Sequence, residues 1–149
     1  MTVSGFDSKI ASDIVAGFDA RPEMLMQILH EFMRRFGYIA EAAIRQLADE
    51  LNLSRAEVHG VVSYYHDFRT EPPGKHVIKL CKAEACQAMG SRTLSRHVEN
   101  TLGDDVTVEP VYCLGNCALS PAIMVNGKTY GRVSAERFDA IIAGLGGDD

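Results

Sequence analysis

Apolar residues recur at helical spacing in the first half of the chain. The first run begins at Pro22, which suits a first helical position, and ends before Gly37, which suits a C-terminal stop. Between them the apolar side chains fall at Leu25, Ile28, Leu29, Phe32 and Phe36. This spacing predicts a helix with one apolar face.

Two further helices are predicted before residue 69. One covers Glu41 to Leu51. Ser54 followed by Glu57 is a capping-box pattern, which predicts the start of another helix that continues through Val62. We therefore expect an all-helical N-terminal segment that ends near Phe68.

The segment RTEPPGK, residues 69–75, interrupts the helical pattern. Two prolines and a glycine cannot continue a helix, so we predict a domain boundary here. The predicted parts are an N-terminal helical segment over residues 1–72 and a second domain over residues 73–149.

Beyond this boundary the pattern changes to strands. HVIKL (76–80) and VTVEPVY (106–112) each predict a strand, with a helix from Gly90 to Leu102 between them. Pro110 cannot donate a backbone hydrogen bond, so it favours an edge position or a strand end.

A hairpin and a last helix complete the second domain. Asn126-Gly127 lies between AIMV and TYGRV and is a strong hairpin signal. Ser134 then caps a helix. The order strand, helix, strand, hairpin, helix predicts a small mixed sheet, and the whole chain is predicted to belong to the α+β class.

Composition and charge argue against several classes of function. The chain has 149 residues, of which 46% are hydrophobic, and no apolar stretch of the roughly 18 residues that a membrane helix needs. The N-terminus has no basic start leading into an apolar run, so we expect a cytoplasmic protein without membrane insertion.

The charge balance argues against nucleic acid as a partner. With 15 basic and 20 acidic residues and no basic stripe, nucleic acid is not expected as a partner. The glycine-rich phosphate-binding patterns G-x-G-x-x-G and G-x-x-x-x-G-K-[ST] do not occur, so we do not expect this chain alone to bind a nucleotide.

The four cysteines fall into two close pairs. Cys81 and Cys86 follow the first predicted strand of the second domain, and Cys113 and Cys117 follow the second. If these strands are parallel neighbours, both loops meet at one edge of the sheet. Four thiolates on converging loops suit a metal with tetrahedral sulfur ligands or an iron-sulfur cluster.

Other uses of the cysteines compete with this one. Structural disulfides need an oxidising compartment, and no C-x-x-C motif for a dithiol active site occurs. Zinc fits the spacing as well as an iron-sulfur cluster does. Gly115 modestly favours an iron-sulfur cluster over zinc, because a tight loop with positive φ can turn backbone amides toward cluster sulfurs.

The combined motifs resemble a known family. C-K-A-E-A-C-Q-A-M-G, followed by a helix and by C-L-G-N-C-A-L-S-P, resembles the thioredoxin-like [2Fe-2S] ferredoxins. G-Y-I-A-E-A-A-I and L-S-R-A-E-V-H-G-V-V-S-Y-Y-H-D-F resemble the helical extension of one branch. That branch contains the small iron-sulfur subunit of the complex I NADH module and relatives in NAD-linked hydrogenases and NAD-dependent formate dehydrogenases.

Within the branch the chain is most similar to one kind of subunit. A-E-V-H-G-V-V-S-Y-Y-H-D-F-R and C-K-A-E-A-C-Q resemble the gamma subunit of soluble, molybdenum-containing formate dehydrogenases. The resemblance runs from about Leu25 to Leu145. One departure is the segment of 26 residues between Cys86 and Cys113, which is often longer in family members.

The resemblance implies a cofactor and its ligands. Cys81, Cys86, Cys113 and Cys117 would each donate one thiolate to a single [2Fe-2S] cluster, two to each iron. The second domain would then have the thioredoxin-like ferredoxin fold.

The resemblance also implies a role in a larger enzyme. The chain would be an electron-transfer subunit of a cytoplasmic NAD-dependent formate dehydrogenase, with no substrate site of its own. It would exchange single electrons with an FMN-containing, NADH-binding flavoprotein subunit. The complex would also contain a catalytic subunit with a molybdenum cofactor and further iron-sulfur clusters. The equivalent subunit of a respiratory complex I NADH module or an NAD-linked hydrogenase is the nearest alternative, and a zinc-stabilised scaffold is an alternative of another class.

A candidate docking segment lies in the helical part. VVSYYHDF, residues 61–68, carries more apolar and aromatic surface than three helices easily bury. We expect Tyr64 and Tyr65 to dock on the flavoprotein subunit, with packing against the chain's own ferredoxin domain as the alternative.

Overall fold

The computed structural model of the protein describes residues 5–103 and 105–145. The chain divides into two compact units: the first unit ends at Pro72 and the second unit begins at Pro73. Whether each unit folds as an independent domain stays a prediction. No helix among the described residues is both long enough and apolar enough to cross a membrane.

The first unit is entirely helical. Its elements, in chain order, are α1 (Ser8–Ala16), a 3-10 turn (Pro22–Met24), α2 (Leu25–Phe36), α3 (Glu41–Glu50) and α4 (Arg55–Tyr64). The helices surround one apolar core, whose largest fully buried side chains are Phe32, Phe36, Ile28, Leu29, Ile39, Leu47, Leu51 and Val15.

Local sequence signals explain most of these helix boundaries. Gly37 adopts φ 80° directly after α2, a conformation that glycine reaches without strain. The capping box at α4 is confirmed: the Ser54 hydroxyl accepts from the Glu57 N–H (3.1 Å), and the Glu57 carboxylate accepts from the Ser54 N–H (2.8 Å). Helix α1 was not predicted, although Asp7 caps it by accepting from the backbone of residues 9 and 10.

The second unit contains one four-stranded sheet and three helices among its described residues. In chain order these are β1 (His76–Cys81), α5 (Glu84–Ala88), α6 (Ser91–Thr101), β2 (Val106–Val111), β3 (Ile123–Val125), β4 (Lys128–Tyr130) and α7 (Ala135–Leu145). A 3-10 turn, Cys117–Leu119, precedes β3. The predicted order of elements is confirmed, with the short helix α5 as an addition.

The sheet has the strand order β2-β1-β3-β4. Strands β1 and β2 are parallel, whereas β1 with β3 and β3 with β4 are antiparallel. The edge position predicted for Pro110 is confirmed, because among the described residues β2 pairs with β1 alone and Pro110 lies opposite Leu80. Asn126 (φ 48°) and Gly127 (φ 85°) form the predicted hairpin turn.

Helices α6 and α7 complete the core of the second unit. Leu94 and Val98 from α6, together with Phe138 from α7, are buried with sheet residues such as Ile78 and Ile123. The Ser134 hydroxyl accepts from the Arg137 N–H (3.2 Å), so the predicted cap of α7 is confirmed. The α+β class is therefore confirmed, with the mixed sheet in the second unit.

Candidate metal centre

The parallel pairing of β1 and β2 brings the two cysteine loops together. Cys81 is the last residue of β1 and lies opposite Val111, the last residue of β2. The next residue, Lys82, donates its N–H to the Val111 carbonyl at 2.8 Å, so the strands stay in register up to the loops. Cys113 follows two residues after Val111. The prediction that both loops meet at one edge of the sheet is confirmed.

Cys81 and Cys86, here called the buried pair, lie on regular elements. Cys81 ends β1 and Cys86 lies on α5, and each is only 2% exposed. They form a small apolar cluster with Ala122, against which Val111 and Leu114 pack. The fold of the second unit therefore fixes these two sulfurs and keeps water away from them.

Cys113 and Cys117, here called the exposed pair, lie on the loop after β2. Their sulfur atoms are 3.6 Å apart. Two thiolates on one tetrahedral metal are about 3.8 Å apart if each metal–sulfur bond is about 2.3 Å. The exposed pair is therefore already spaced as two ligands of one metal would be.

Positive φ angles shape the loop of the exposed pair. Gly115 has φ 74°, as its predicted role in a tight turn requires, and Cys113 has φ 117°. This backbone aims the Gly115 N–H at the Cys113 sulfur, 3.3 Å away. Amides that point at sulfur in this way stabilise thiolates and tune iron-sulfur clusters.

The electrostatics differ between the pairs. Burial raises the pKa of the Cys81 thiol, but hydrogen bonds outweigh this effect and hold that pKa below its ordinary value. Their sources are the backbone of Ala83, the Cys86 thiol and the backbone of Leu114 and Cys113. The pKa of Cys117 is raised, mainly by its hydrogen bond with Cys113 and by the charge that Cys113 develops. The charges of Cys86 and Cys81 also raise it.

The donor set fits a two-iron cluster. Among residues 5–103 and 105–145, no group of three or more His, Cys, Asp or Glu side chains is arranged around one point. A [2Fe-2S] cluster takes four thiolates, and two neighbouring pairs match that requirement when each pair serves one iron.

Three exposed apolar side chains lie close to the cysteines in sequence. Tyr112, which directly precedes Cys113, is 76% exposed, and Met89 and Leu119, which follow the second cysteine of each pair, are also exposed. The sequence analysis assigned these side chains no role, and their only signal in the sequence is their position next to the cysteines.

Comparisons of sequence place the chain among known proteins. The family "Thioredoxin-like [2Fe-2S] ferredoxin" matches residues 11–146. An NADH-quinone oxidoreductase subunit of Aquifex aeolicus is 33% identical over 135 residues, which cover 85% of this chain and 84% of that protein. The HndA subunit of an NADP-reducing hydrogenase from Solidesulfovibrio fructosivorans is 31% identical over 128 residues, which cover 80% and 75% of the two chains.

A solved structure shares the fold. A chain of an NAD+-reducing [NiFe]-hydrogenase in the air-oxidized state matches 83% of this chain with a TM-score of 0.69 and 23% sequence identity. The match covers only 23% of that longer chain, so it shows a common fold and nothing further. Because the family match spans nearly the whole sequence and both relatives exceed 30% identity over most of their length, this chain belongs to the thioredoxin-like [2Fe-2S] ferredoxin family.

Proposed function

We propose that this chain is the [2Fe-2S] electron-transfer subunit of an NAD-linked oxidoreductase complex. The observation that carries the proposal is the convergence of the buried pair and the exposed pair at one sheet edge, in a chain of this family. In this proposal Cys81 and Cys86 hold one iron, and Cys113 and Cys117 hold the other.

The two pairs would contribute differently to electron transfer. When bound, the cluster accepts or releases one electron at a time. The buried pair shields one side of it from water and fixes its position relative to the sheet. The exposed pair leaves the other side accessible, beside Tyr112 and Leu119, so that a redox partner can approach closely.

The proposed partner is a flavoprotein subunit with FMN and a site for NADH. Hydride transfer from NADH moves two electrons, whereas a [2Fe-2S] cluster carries one, so a flavin must divide the pair. The two relatives are named as subunits of an NADH-quinone oxidoreductase and of an NADP-reducing hydrogenase, and both names agree with a place in a pyridine-nucleotide-linked complex.

The parent complex is proposed to be an NAD-dependent formate dehydrogenase. The support is the resemblance of A-E-V-H-G-V-V-S-Y-Y-H-D-F-R and C-K-A-E-A-C-Q to its gamma subunit. The other subunits would then include a molybdenum-containing catalytic subunit with further iron-sulfur clusters. The second candidate is a complex I NADH module or an NAD-linked hydrogenase, which the relatives from Aquifex aeolicus and Solidesulfovibrio fructosivorans favour.

Purification of the complex from its native cells separates these candidates. A tag on this chain should co-purify the flavoprotein subunit, which mass spectrometry identifies. The eluate should reduce NAD+ with formate and contain molybdenum. Activity with hydrogen and a nickel content would support a hydrogenase instead, and transfer from NADH to a quinone would support complex I. An eluate with no flavoprotein and no NAD-linked activity would contradict every form of the proposal.

Helix α4 and Tyr65, the residue directly after it, form the proposed docking surface for the flavoprotein. Only Val58 and Val62 of this helix are buried, and the rest of its surface is open or partly open. Tyr64 is 73% exposed and Tyr65 is 44% exposed, with their rings 5.0 Å apart. Tyrosines supply large contact areas at low conformational cost and are frequent interface anchors.

Substitutions on α4 test this docking surface. Replacing Tyr64 and Tyr65 by Ala should reduce co-purification of the flavoprotein. Gly60→Arg is a sharper probe, because a Cβ at Gly60 meets no atom within 4 Å and arginine is a better helix former than glycine. The variant should keep the fold and obstruct the partner. Gln27→Arg, at an exposed position on α2, is the matched control. Normal assembly and normal NADH oxidation by Gly60→Arg would rule out docking through this face.

A further inference from the structure

A buried serine touches both cysteine motifs. Ser120 is 7% exposed and follows the 3-10 turn that begins at Cys117. Its Oγ accepts a hydrogen bond from the Cys86 thiol at 3.5 Å and donates one to the Cys117 carbonyl at 2.7 Å. One hydroxyl thus connects the buried pair to the exposed pair.

Binding of iron to Cys86 would change what this hydroxyl can do. The sulfur loses its proton on binding iron and can then only accept hydrogen bonds. A serine hydroxyl has one hydrogen to donate. If that hydrogen stayed on the Cys117 carbonyl, a lone pair of Oγ would face the negatively charged sulfur, and the low exposure of Ser120 keeps water from relieving the repulsion.

The Cys117 carbonyl does not depend on the hydroxyl. It also accepts a hydrogen bond from the Ser120 backbone N–H, at 3.3 Å. The hydroxyl can therefore rotate toward the Cys86 sulfur and leave no buried carbonyl without a partner. Rotation about one side-chain bond is sufficient, and the backbone need not move.

We propose that Ser120 is a positioning residue that raises the reduction potential of the cluster by donating its hydroxyl hydrogen to the Cys86 sulfur. The inference rests on the proposed function, since it requires the cluster. Reduction adds one electron, which comes from the redox partner, and increases the negative charge on the sulfurs. A hydrogen bond to a charged acceptor strengthens as that charge grows, so the reduced state is stabilised more than the oxidised state. The Ser120 proton stays on Oγ throughout, and no covalent bond forms or breaks.

Three variants test the proposal. Ser120→Ala removes the hydroxyl. Ser120→Thr keeps it, and Ser120 lines a cleft of about 520 Å³. Ser95→Ala is the matched control, because Ser95 is also buried (8% exposed) in the second unit but donates its hydroxyl to Glu99 at 3.0 Å. The readout is the midpoint potential of the cluster in an EPR-monitored redox titration.

We expect Ser120→Ala to shift the midpoint potential to a more negative value than in the wild type. Ser120→Thr should restore most of the shift, and Ser95→Ala should leave the potential unchanged. In the reduced wild-type protein in D2O, ENDOR should detect an exchangeable deuteron near the cluster in addition to those of backbone amides, which ¹⁵N labelling identifies. This deuteron should persist in Ser120→Thr and disappear in Ser120→Ala.

An unchanged potential in a Ser120→Ala protein that holds an intact cluster would overturn the inference. If Ser120→Ala does not hold a cluster, Ser120→Gly replaces it as the hydroxyl-free variant. If neither variant holds one, the ENDOR measurement on the wild type decides, and absence of the extra deuteron overturns the inference. A wild-type protein without any [2Fe-2S] EPR signal would instead refute the proposed function itself.

Discussion

The two cysteine pairs have the same chemistry and different surroundings. Cys81 and Cys86 lie on a strand and a helix and are almost fully buried, whereas Cys113 and Cys117 lie on an exposed loop. The loop reaches its shape through positive φ angles and the turn at Gly115. In the proposed function this difference divides the roles: the buried pair would fix the cluster to the core of the second unit, and the exposed pair would present it to a partner.

The largest expected contrast comes from Cys→Ser changes in the metal-free protein. Cys86→Ser replaces the sulfur beside Ala122 by a smaller hydroxyl; Ser120 Oγ offers that hydroxyl a hydrogen bond, but the lost packing should still lower the free energy of unfolding by about 1–2 kcal/mol. Cys113→Ser changes an exposed loop position and should leave that free energy nearly unchanged. After cluster loading, both variants should contain less iron than the wild type, because each lacks one of the four proposed ligands. Denaturant unfolding and iron analysis measure the two effects, and equal stability losses would contradict the proposed division of roles.

A second expected effect concerns the loop of the exposed pair. A Cβ at Gly131 would lie 2.6 Å from Leu119 Cβ and 2.8 Å from Asn116 Nδ2, so Gly131→Ala must displace the turn that contains Cys117. We expect a loss of about 1–3 kcal/mol in stability and a reduced iron content. Gly144→Ala on α7 is the control, because a Cβ there meets no atom within 4 Å. Full iron content in Gly131→Ala would show that the turn tolerates displacement.

Thiol alkylation compares the two pairs directly. In the chelator-treated, folded protein, Cys113 and Cys117 should react with iodoacetamide faster than Cys81 and Cys86, because the latter are only 2% exposed. The lowered pKa of Cys81 and the raised pKa of Cys117 oppose this order, so burial must outweigh the difference in thiolate content. Mass spectrometry of the labelled peptides gives the four rates. Faster labelling of the buried pair would mean that its apolar surroundings open readily.

The smallest expected loss of stability comes from a substitution in the first unit, and it should leave the cysteine site unchanged. Ser54→Ala removes the cap of α4 and should cost about 1 kcal/mol. Hydrogen bonds from the Ser54 backbone and hydroxyl lower the pKa of Glu57 in the folded protein. These bonds therefore contribute to the free energy of unfolding above the unfolded-state pKa of Glu57, and the contribution is lost as pH falls through the lower folded-state pKa. The stability difference between wild type and Ser54→Ala should therefore shrink in acid. Denaturation at several pH values measures it, and a change in the cluster's absorbance would contradict an effect confined to the first unit.

Local signals allowed much of this fold to be predicted. The Ser54 capping box, the edge position of Pro110 and the turn at Asn126-Gly127 each depend on neighbouring residues, so the sequence alone reveals them. The position of each cysteine pair directly after a predicted strand likewise predicted that the pairs meet at one sheet edge if the strands are parallel neighbours. Helices α1 and α5 were missed because they are short and lack a long periodic pattern.

The unequal burial of the two pairs could not be predicted from the sequence. It depends on Ala122 and Leu114 packing over one pair, which is a consequence of tertiary structure. The contacts of Ser120 with Cys86 and of Gly131 with Leu119 also join residues that are distant in sequence or in separate elements. No local pattern encodes such contacts.

The central claim is that these four cysteines hold a [2Fe-2S] cluster. The most direct test is the absorbance and EPR spectrum of the anaerobically purified chain before and after dithionite, with iron, zinc and acid-labile sulfide measured. The account predicts visible absorbance that bleaches on reduction, a rhombic EPR signal from the reduced protein and about two irons per chain. A colourless protein that contains zinc and no labile sulfide would contradict it.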